Sequence, residues 1–310
     1  MKYKLTDEKK QVNGITLHRI VCATSFEFVS AGEIGGWVES ENNLSQFGDA
    51  WVYDNAEVCG DAEVCGDAWV CGDAEVCGDA RVCGDARVYG NAKVCGNAEV
   101  CGDARVYGNA KVYGNAEVCG DARVYGDARV YGNAKVYGNA EVCDNADVCG
   151  DAWVYGKAKF YGNARVYGNA EVCGDAEVCG YAKVCGYAKV CGNAEVCDNA
   201  KVCGNAEVCG DVRVYGNAKV YGNAEVCGDA KVCGKDDYIV MKNNWSSGRY
   251  FTYTMSNDKW KVGCFYGSGE ELIAKAYKDS ELSGDCYKAA VEFVEKIKAA
   301  KKKAATEKEK

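Results

Sequence analysis

Proline is absent from this chain of 310 residues, histidine occurs once, at His18, and methionine three times. One imidazole cannot build a site that needs three histidine ligands. Nor does any histidine lie in the long middle of the chain to act as a general base there. No stretch approaches the roughly 20 apolar residues needed to cross a membrane, and the segment Met1 to Lys10 lacks the apolar core of a signal peptide. Residues 48–233 contain no threonine, which excludes the threonine ladders of an ice-binding surface. The net charge of −9 divides into −1 over residues 1–47, −11 over 48–233 and +3 from Gly234 onward, so there is no basic nucleic-acid footprint. The expectation is a cytoplasmic protein with reduced cysteines, and with neither nucleic acid nor membrane as a partner.

What is present is as skewed as what is missing. There are 38 glycines and 22 cysteines, and 48% of residues are hydrophobic, so lack of apolar surface does not force disorder. The skew comes from a repeat. From Val52 to Val232 every sixth residue is valine, except Phe160, over 31 hexads without an insertion or deletion. The unit reads Gly, Asp or Asn, Ala, a variable residue, Val, then Cys or Tyr. Ala gives way only at Val212, and Gly only at Asp54, Asp144 and Asp198. Ala and Val stand two apart, so in an extended segment both point to one side, and that side must be the interior. Gly with Asp or Asn is turn chemistry, tolerant of positive φ. A helix is excluded, because a glycine every six residues would cost about 1 kcal/mol each.

An aliphatic residue followed four positions later by a small one, as in Val52 and Ala56 and each later pair to Val226 and Ala230, resembles the hexapeptide-repeat superfamily. Ala31-Gly-Glu-Ile-Gly-Gly-Trp-Val38, Asn43-Leu-Ser-Gln46 and Gly48-Asp-Ala-Trp-Val-Tyr-Asp54 resemble more closely the YdcK-like hexapeptide proteins of bacteria and their phages. The resemblance implies a mainly β fold: a single-stranded left-handed parallel β-helix with three hexads per coil. Thirty-one hexads then make about ten coils and a rod of roughly 50 Å at ~4.8 Å between strands. The handedness comes from the resemblance alone. The Cys or Tyr after each valine departs from the superfamily motif, which prefers a small or acidic residue there. Acyltransferases of this superfamily use a histidine base near a loop excursion, and residues 48–233 offer neither.

Residues 18 apart should stack into outward ladders. One holds Cys65, Cys83, Cys101, Cys119, Tyr137, Tyr155, Cys173, Cys191, Cys209 and Cys227; a second face, from Lys93 to Lys219, is mainly basic. Three readings of the cysteine ladders stay open: soft-metal chelation by those eight thiols, disulfide stapling, and small semi-apolar side chains that suit a strand surface. The last is preferred, since Cys and Tyr exchange freely in one column and no Cys-x2-Cys spacing occurs. All twelve acidic residues of the variable column precede Val-Cys, and six of its seven arginines precede Val-Tyr, which permits cation–π contact but is explained by copying of whole repeat units.

Both open ends of such a solenoid need caps. Residues 1–47 are expected to form an N-terminal β cap, with strands near Tyr3 and Ile15–Val21 and with Trp37 and Leu44 covering the first coil. The solenoid takes 48–234, and 235–310 a small α+β domain. There Tyr238–Lys242 is predicted as a strand, Arg249–Met255 and Lys259–Tyr266 as a hairpin, and two helices follow, Glu270–Ser280 and one from about Asp285 into a frayed charged tail. Ser268 with Glu271 is expected to form a capping box rather than a phosphate cradle. The aromatic and basic set Trp245, Arg249, Tyr253, Trp260, Lys261 and Tyr266 is the candidate contact surface. The preferred expectation is a non-enzymatic rigid scaffold that presents this adaptor domain to a protein partner, with no cofactor. A ligand- or soft-metal-binding protein and an acyltransferase-like enzyme are the alternatives.

Overall fold

The computed structural model describes residues 1–234 and 236–308. The valine column becomes three parallel ladders that wind around one axis. The three long faces of the solenoid are sheets of 13, 11 and 10 strands, the first of which includes two antiparallel strands of an N-terminal hairpin. Register is 18 residues throughout the repeat: Val94 pairs with Val112, Val100 with Val118, and Val88 with Val106. Every Ala and Val of the two inward columns is buried, as are Phe160 and Val212. The interior is therefore one continuous column of small and branched side chains, sealed along its length.

Each hexad turns a corner at its glycine. Gly102 has φ +67°, and a Cβ placed on it would lie 3.0 Å from the backbone nitrogen of Gly120 in the next coil. Both the left-handed backbone and this close approach call for glycine. The three aspartates that replace it, Asp54, Asp144 and Asp198, also take positive φ, at 50°, 57° and 58°. Each makes good use of its carboxylate: Asp144 Oδ2 accepts from Gly162 N at 2.9 Å, one coil further on.

The winding starts one coil earlier than the valine register. A strand at Ile34–Val38 pairs in parallel with Glu57–Val58, and Leu44 bridges Val64. These offsets are 20 residues rather than 18, because two extra residues sit between Leu44 and Val52. The result is about eleven turns rather than ten: with Ile34–Val38 the first face has 11 of its 13 strands outside the N-terminal hairpin. The hairpin Tyr3–Val12 and Ile15–Cys22 extends the first face beyond that strand. Trp37 lies on the outside of this coil under Lys10 and Arg19, whose cationic groups are 4.5 and 4.9 Å from its ring.

The backbone ladder has a direction. Asp67 N donates to Gly84 O, Trp69 N to Ala86 O and Cys71 N to Val88 O, each at 2.9 Å. One coil thus hands its N–H groups to the carbonyls of the next, so the first coil is left with spare acceptors and the last with spare donors. The caps answer this in kind. Asn43 Nδ2 donates to Gly60 O and Ala62 O at 2.8 and 2.9 Å. Lys2 Nζ donates to Gly48 O at 3.2 Å and Ala50 O at 2.8 Å. Burial pushes the Lys2 amine down to about 8, against the pull of Asp49 and Asp67.

At the other end the caps are oxygen acceptors. Thr252 Oγ1 takes Glu225 N at 2.8 Å, Ser256 Oγ takes Lys231 N at 2.7 Å, and Asp237 Oδ2 takes Cys233 N at 2.6 Å. The Tyr238 hydroxyl accepts from Tyr221 N at 3.2 Å while donating to Lys219 O at 2.9 Å. Thr252 and Tyr238 belong to, and Asp237 and Ser256 flank, the strands of a four-stranded antiparallel sheet, Tyr238–Lys242, Tyr250–Thr254, Lys259–Val262 and Phe265–Gly267. The predicted strand Lys259–Tyr266 is corrected: a turn at Gly263 and Cys264 folds it back on itself, and Val262 pairs with Phe265. Helix α1 (Gly269–Asp279) begins at the capping box, with Glu271 N donating to Ser268 Oγ at 3.2 Å and Ser268 N to Glu271 Oε2 at 2.7 Å. Helix α2 (Glu281–Lys308) starts four residues before the expected Asp285 and stays helical through the charged tail. No helix among the described residues is long and apolar enough to cross a membrane.

Candidate functional site

With the interior sealed, chemistry is confined to the outward ladders and the two ends. The variable column carries ion pairs between adjacent coils: Arg81–Glu63 at 3.6 Å, Lys93–Glu75 at 2.7 Å, Lys189–Glu171 at 3.0 Å and Arg213–Glu195 at 3.3 Å. The alternation of acidic and basic hexads therefore has a structural reading at these pairs, each exposed and worth little singly. Tyrosines of adjacent coils stack with centroids 4.8 Å apart, as in Tyr89–Tyr107 and Tyr107–Tyr125. Cation–π contacts in the repeat fall on tryptophan instead, with Arg87 4.9 Å from the Trp69 ring.

On the first face the charges do not cancel. An open groove of about 760 Å³ runs along it, lined by Asn163, Arg165, Tyr181, Lys183, Asn199, Lys201 and Lys219 among others. Arg165 pairs with Asp147 at 3.3 Å. Among the described residues Lys183, Lys201 and Lys219 have no carboxylate partner, and they stack in register one above another. A row of three ammonium groups without carboxylate partners makes this stretch locally positive on a chain of net charge −9.

The cysteine rows are in register, and their thiols touch. Cys209 Sγ and Cys227 Sγ are 3.1 Å apart, and Cys185 and Cys203 are joined as a disulfide with Cα atoms 4.7 Å apart. The reading of these side chains as plain strand packing is corrected at that pair: in-register neighbours come within bonding reach. Thiols in a row also share hydrogen bonds. The bond from Cys77 lowers the Cys59 thiol, and the bond from Cys209 lowers the Cys227 thiol. Burial, with Cys119 and Cys83 as neighbours, pushes Cys101 up to about 12. Among the described residues no three His, Cys, Asp or Glu side chains converge as a metal-binding group.

The six residues of the expected contact surface are not brought together on a surface. Tyr253 and Trp260 are in the core, packed with Phe251, Leu272, Tyr287 and Val294, which corrects their assignment as contact residues. Trp245 packs edge-on against Tyr287, 5.1 Å between centroids, and its indole nitrogen is buried without a hydrogen-bond partner in the structure. Lys261 and Tyr266 face the solenoid: Lys261 Nζ lies 3.9 Å from Glu225, and the Tyr266 hydroxyl donates to Cys227 O at 3.2 Å. Of the six, Arg249 alone is exposed without such a docking role. Sequence reasoning missed the residues that hold this end in place, Asp237, Tyr238, Thr252 and Ser256. Their one signal was the return of threonine and serine directly after a repeat free of threonine.

A sealed hexad column with ladders outside and side-chain caps at both ends defines a capped parallel β-solenoid. The comparisons agree. The family model described as the YdcK β-solenoid repeat matches residues 80–96, 116–132 and 122–138. A protein of Escherichia coli (strain K12) named "Uncharacterized acetyltransferase YdcK" is 36% identical over 61 residues, covering 17% of this chain and 19% of the relative. The chain thus spans about a fifth of the length of the curated relative it matches. With the fold, these matches make the chain a YdcK-like β-solenoid protein.

Proposed function

We propose that this chain is a non-enzymatic rigid scaffold whose first face holds an acidic, extended segment of a protein partner. The observation that carries the reading is the uncompensated row Lys183, Lys201 and Lys219 in the open groove, flanked by the amides of Asn163 and Asn199. The support beneath it is stiff, because each coil is bonded to the next along all three faces. Ammonium groups in register present charge along a line, which suits a strand-like acidic peptide and gives salt-dependent binding. The C-terminal sheet takes the part of a locked end cap in this reading, since most of its aromatic and basic residues are spent on its own core and on the last coil. The test is binding of a poly-glutamate peptide to the full chain and to the variant Lys183→Glu, Lys201→Glu, Lys219→Glu. Three exposed charge contacts at about 0.5 kcal/mol each predict a loss of at least about tenfold. Equal affinity, or affinity indifferent to salt, overturns the groove as a partner site.

The name of the Escherichia coli relative favours acetyl transfer as a second reading. Here it lacks a base at the solenoid: His18 is on the N-terminal hairpin, with Nδ1 3.5 Å from Thr6 O. Acetyl-CoA binding by calorimetry, followed by acetylation of an amine acceptor, decides for it; no heat and no product decides against.

A further inference from the structure

We propose that the two four-membered cysteine rows of the third face, Cys65 to Cys119 and Cys173 to Cys227, bind soft monovalent d10 cations of the copper(I) class, each held linearly between thiolates of adjacent coils. The argument is one of spacing. In-register cysteines repeat at the strand separation, about 4.8 Å, and Cys185 and Cys203, an in-register pair on the first face, have Cα atoms 4.7 Å apart. Two metal–thiolate bonds of about 2.3 Å placed end to end span about 4.6 Å. An ion that prefers two opposed sulfur ligands therefore fits between neighbouring coils with the side chains parallel, and the fold need not move. An ion that requires four ligands does not fit, since no three His, Cys, Asp or Glu side chains converge among the described residues. Thiolate softness selects the same class of metal.

The side chains also have the necessary reach. The contact of Cys209 with Cys227 at 3.1 Å shows that sulfur atoms in a row can close to less than the coil spacing, so rotation about χ1 can open or shorten the gap. The third face gathers the longest rows, separated from each other by the stacked pair Tyr137 and Tyr155, whose centroids are 5.1 Å apart. Each binding event takes two thiols and one M⁺ to a bis-thiolate of charge −1 and two protons, with no change in oxidation state. Arg81 in the column beside the first row, and Lys189 beside the second, are each shared with a glutamate of that column, Glu63 and Glu171. If each thiolate is used once, a row of four holds two ions, and the face about four.

The experiment uses the full chain, reduced with a phosphine under anaerobic conditions and titrated with copper(I) against bicinchoninate. Two variants each remove four thiols. Cys83→Ser, Cys101→Ser, Cys191→Ser, Cys209→Ser leaves no adjacent cysteines on the third face. Cys71→Ser, Cys143→Ser, Cys149→Ser, Cys233→Ser removes cysteines that have no cysteine above or below within their column. The first variant should lose about four ions and the second none. X-ray absorption of the wild-type chain should give two sulfur neighbours per copper. Equal losses in the two variants, three or more sulfurs per copper, or no competition with the chelator overturns the proposal. The absorption measurement stands even if a variant fails to fold.

Discussion

Thr252 tests the principle by which the solenoid is stopped. Its side chain is buried, and its hydroxyl oxygen is 2.8 Å from Glu225 N, a donor that in any earlier coil would reach the carbonyl of the next. Thr252→Val keeps the shape and removes the acceptor. A buried N–H left without a partner costs about 1–3 kcal/mol, and the net worth of the bond is about 1 kcal/mol. A loss of 1–2 kcal/mol is a factor of roughly 5–30 in a local opening equilibrium. Hydrogen exchange at the Glu225 amide should accelerate by that factor, with Thr252→Ser close to wild type. Thr254→Val is the control: that hydroxyl bonds to Asn257 and Lys259 within the sheet and touches no solenoid amide. If Glu225 exchanges at the same rate in Thr252→Val as in wild type, the hydroxyl is not a cap, and the account of this end is wrong.

Other predictions follow from the same contacts. Gly102→Ala should lower the melting temperature by several degrees, since a left-handed alanine costs roughly 1–2 kcal/mol before its Cβ meets Gly120 N at 3.0 Å. Gly102→Asp should be milder, because Asp144 already shows how a carboxylate serves that corner; equal melting of the two variants would argue against the role given to the carboxylate. For Asp237, burial pushes the carboxyl up, but the backbone donors of Cys233 and Gly234 outweigh it and hold it below the ordinary carboxylate value. A depressed acid stabilises the fold above its unfolded pKa, and that stability is lost as pH falls through the folded value. Exchange at Cys233 and Gly234 should therefore rise with acid below about pH 4, and Asp237→Asn should flatten that dependence. Deleting both caps, residues 1–47 and 235–310, should leave complementary edges of carbonyls and amides that associate head to tail. Light scattering that stays monomeric at high concentration would refute this.

The repeat was legible because its physics is local. Val and Ala two apart, with Gly and Asp or Asn between pairs, determine inside and outside without reference to any distant residue. The 18-residue stacking was what the resemblance to the hexapeptide-repeat superfamily implied, and it correctly placed the Cys65 and Lys93 ladders. What was not legible depends on edges. The first coil was hidden by the two additional residues between Leu44 and Val52, which break the six-residue period while preserving the parallel pairing. In the C-terminal sheet, strand Tyr250–Thr254 is buried on both sides, with Phe251 and Tyr253 toward the helices and Thr252 against the solenoid. A reading from the aromatic and basic residue types alone put Tyr253 on a surface. The Cys185–Cys203 pair was also missed as a specific pair, because nothing in a column of exchangeable Cys and Tyr marks one neighbour from another.

The unbroken register constrains how such a chain can change length. Adding or removing 18 residues restores every downstream side chain to the face it left, and only the distance between the caps is altered. Adding a single hexad preserves the sealed axis but turns everything beyond it by one face, so that the lysine row continues the variable column of another face and the groove is cut in two. Growth by whole turns is silent for the surface, and growth by one repeat unit rewrites it.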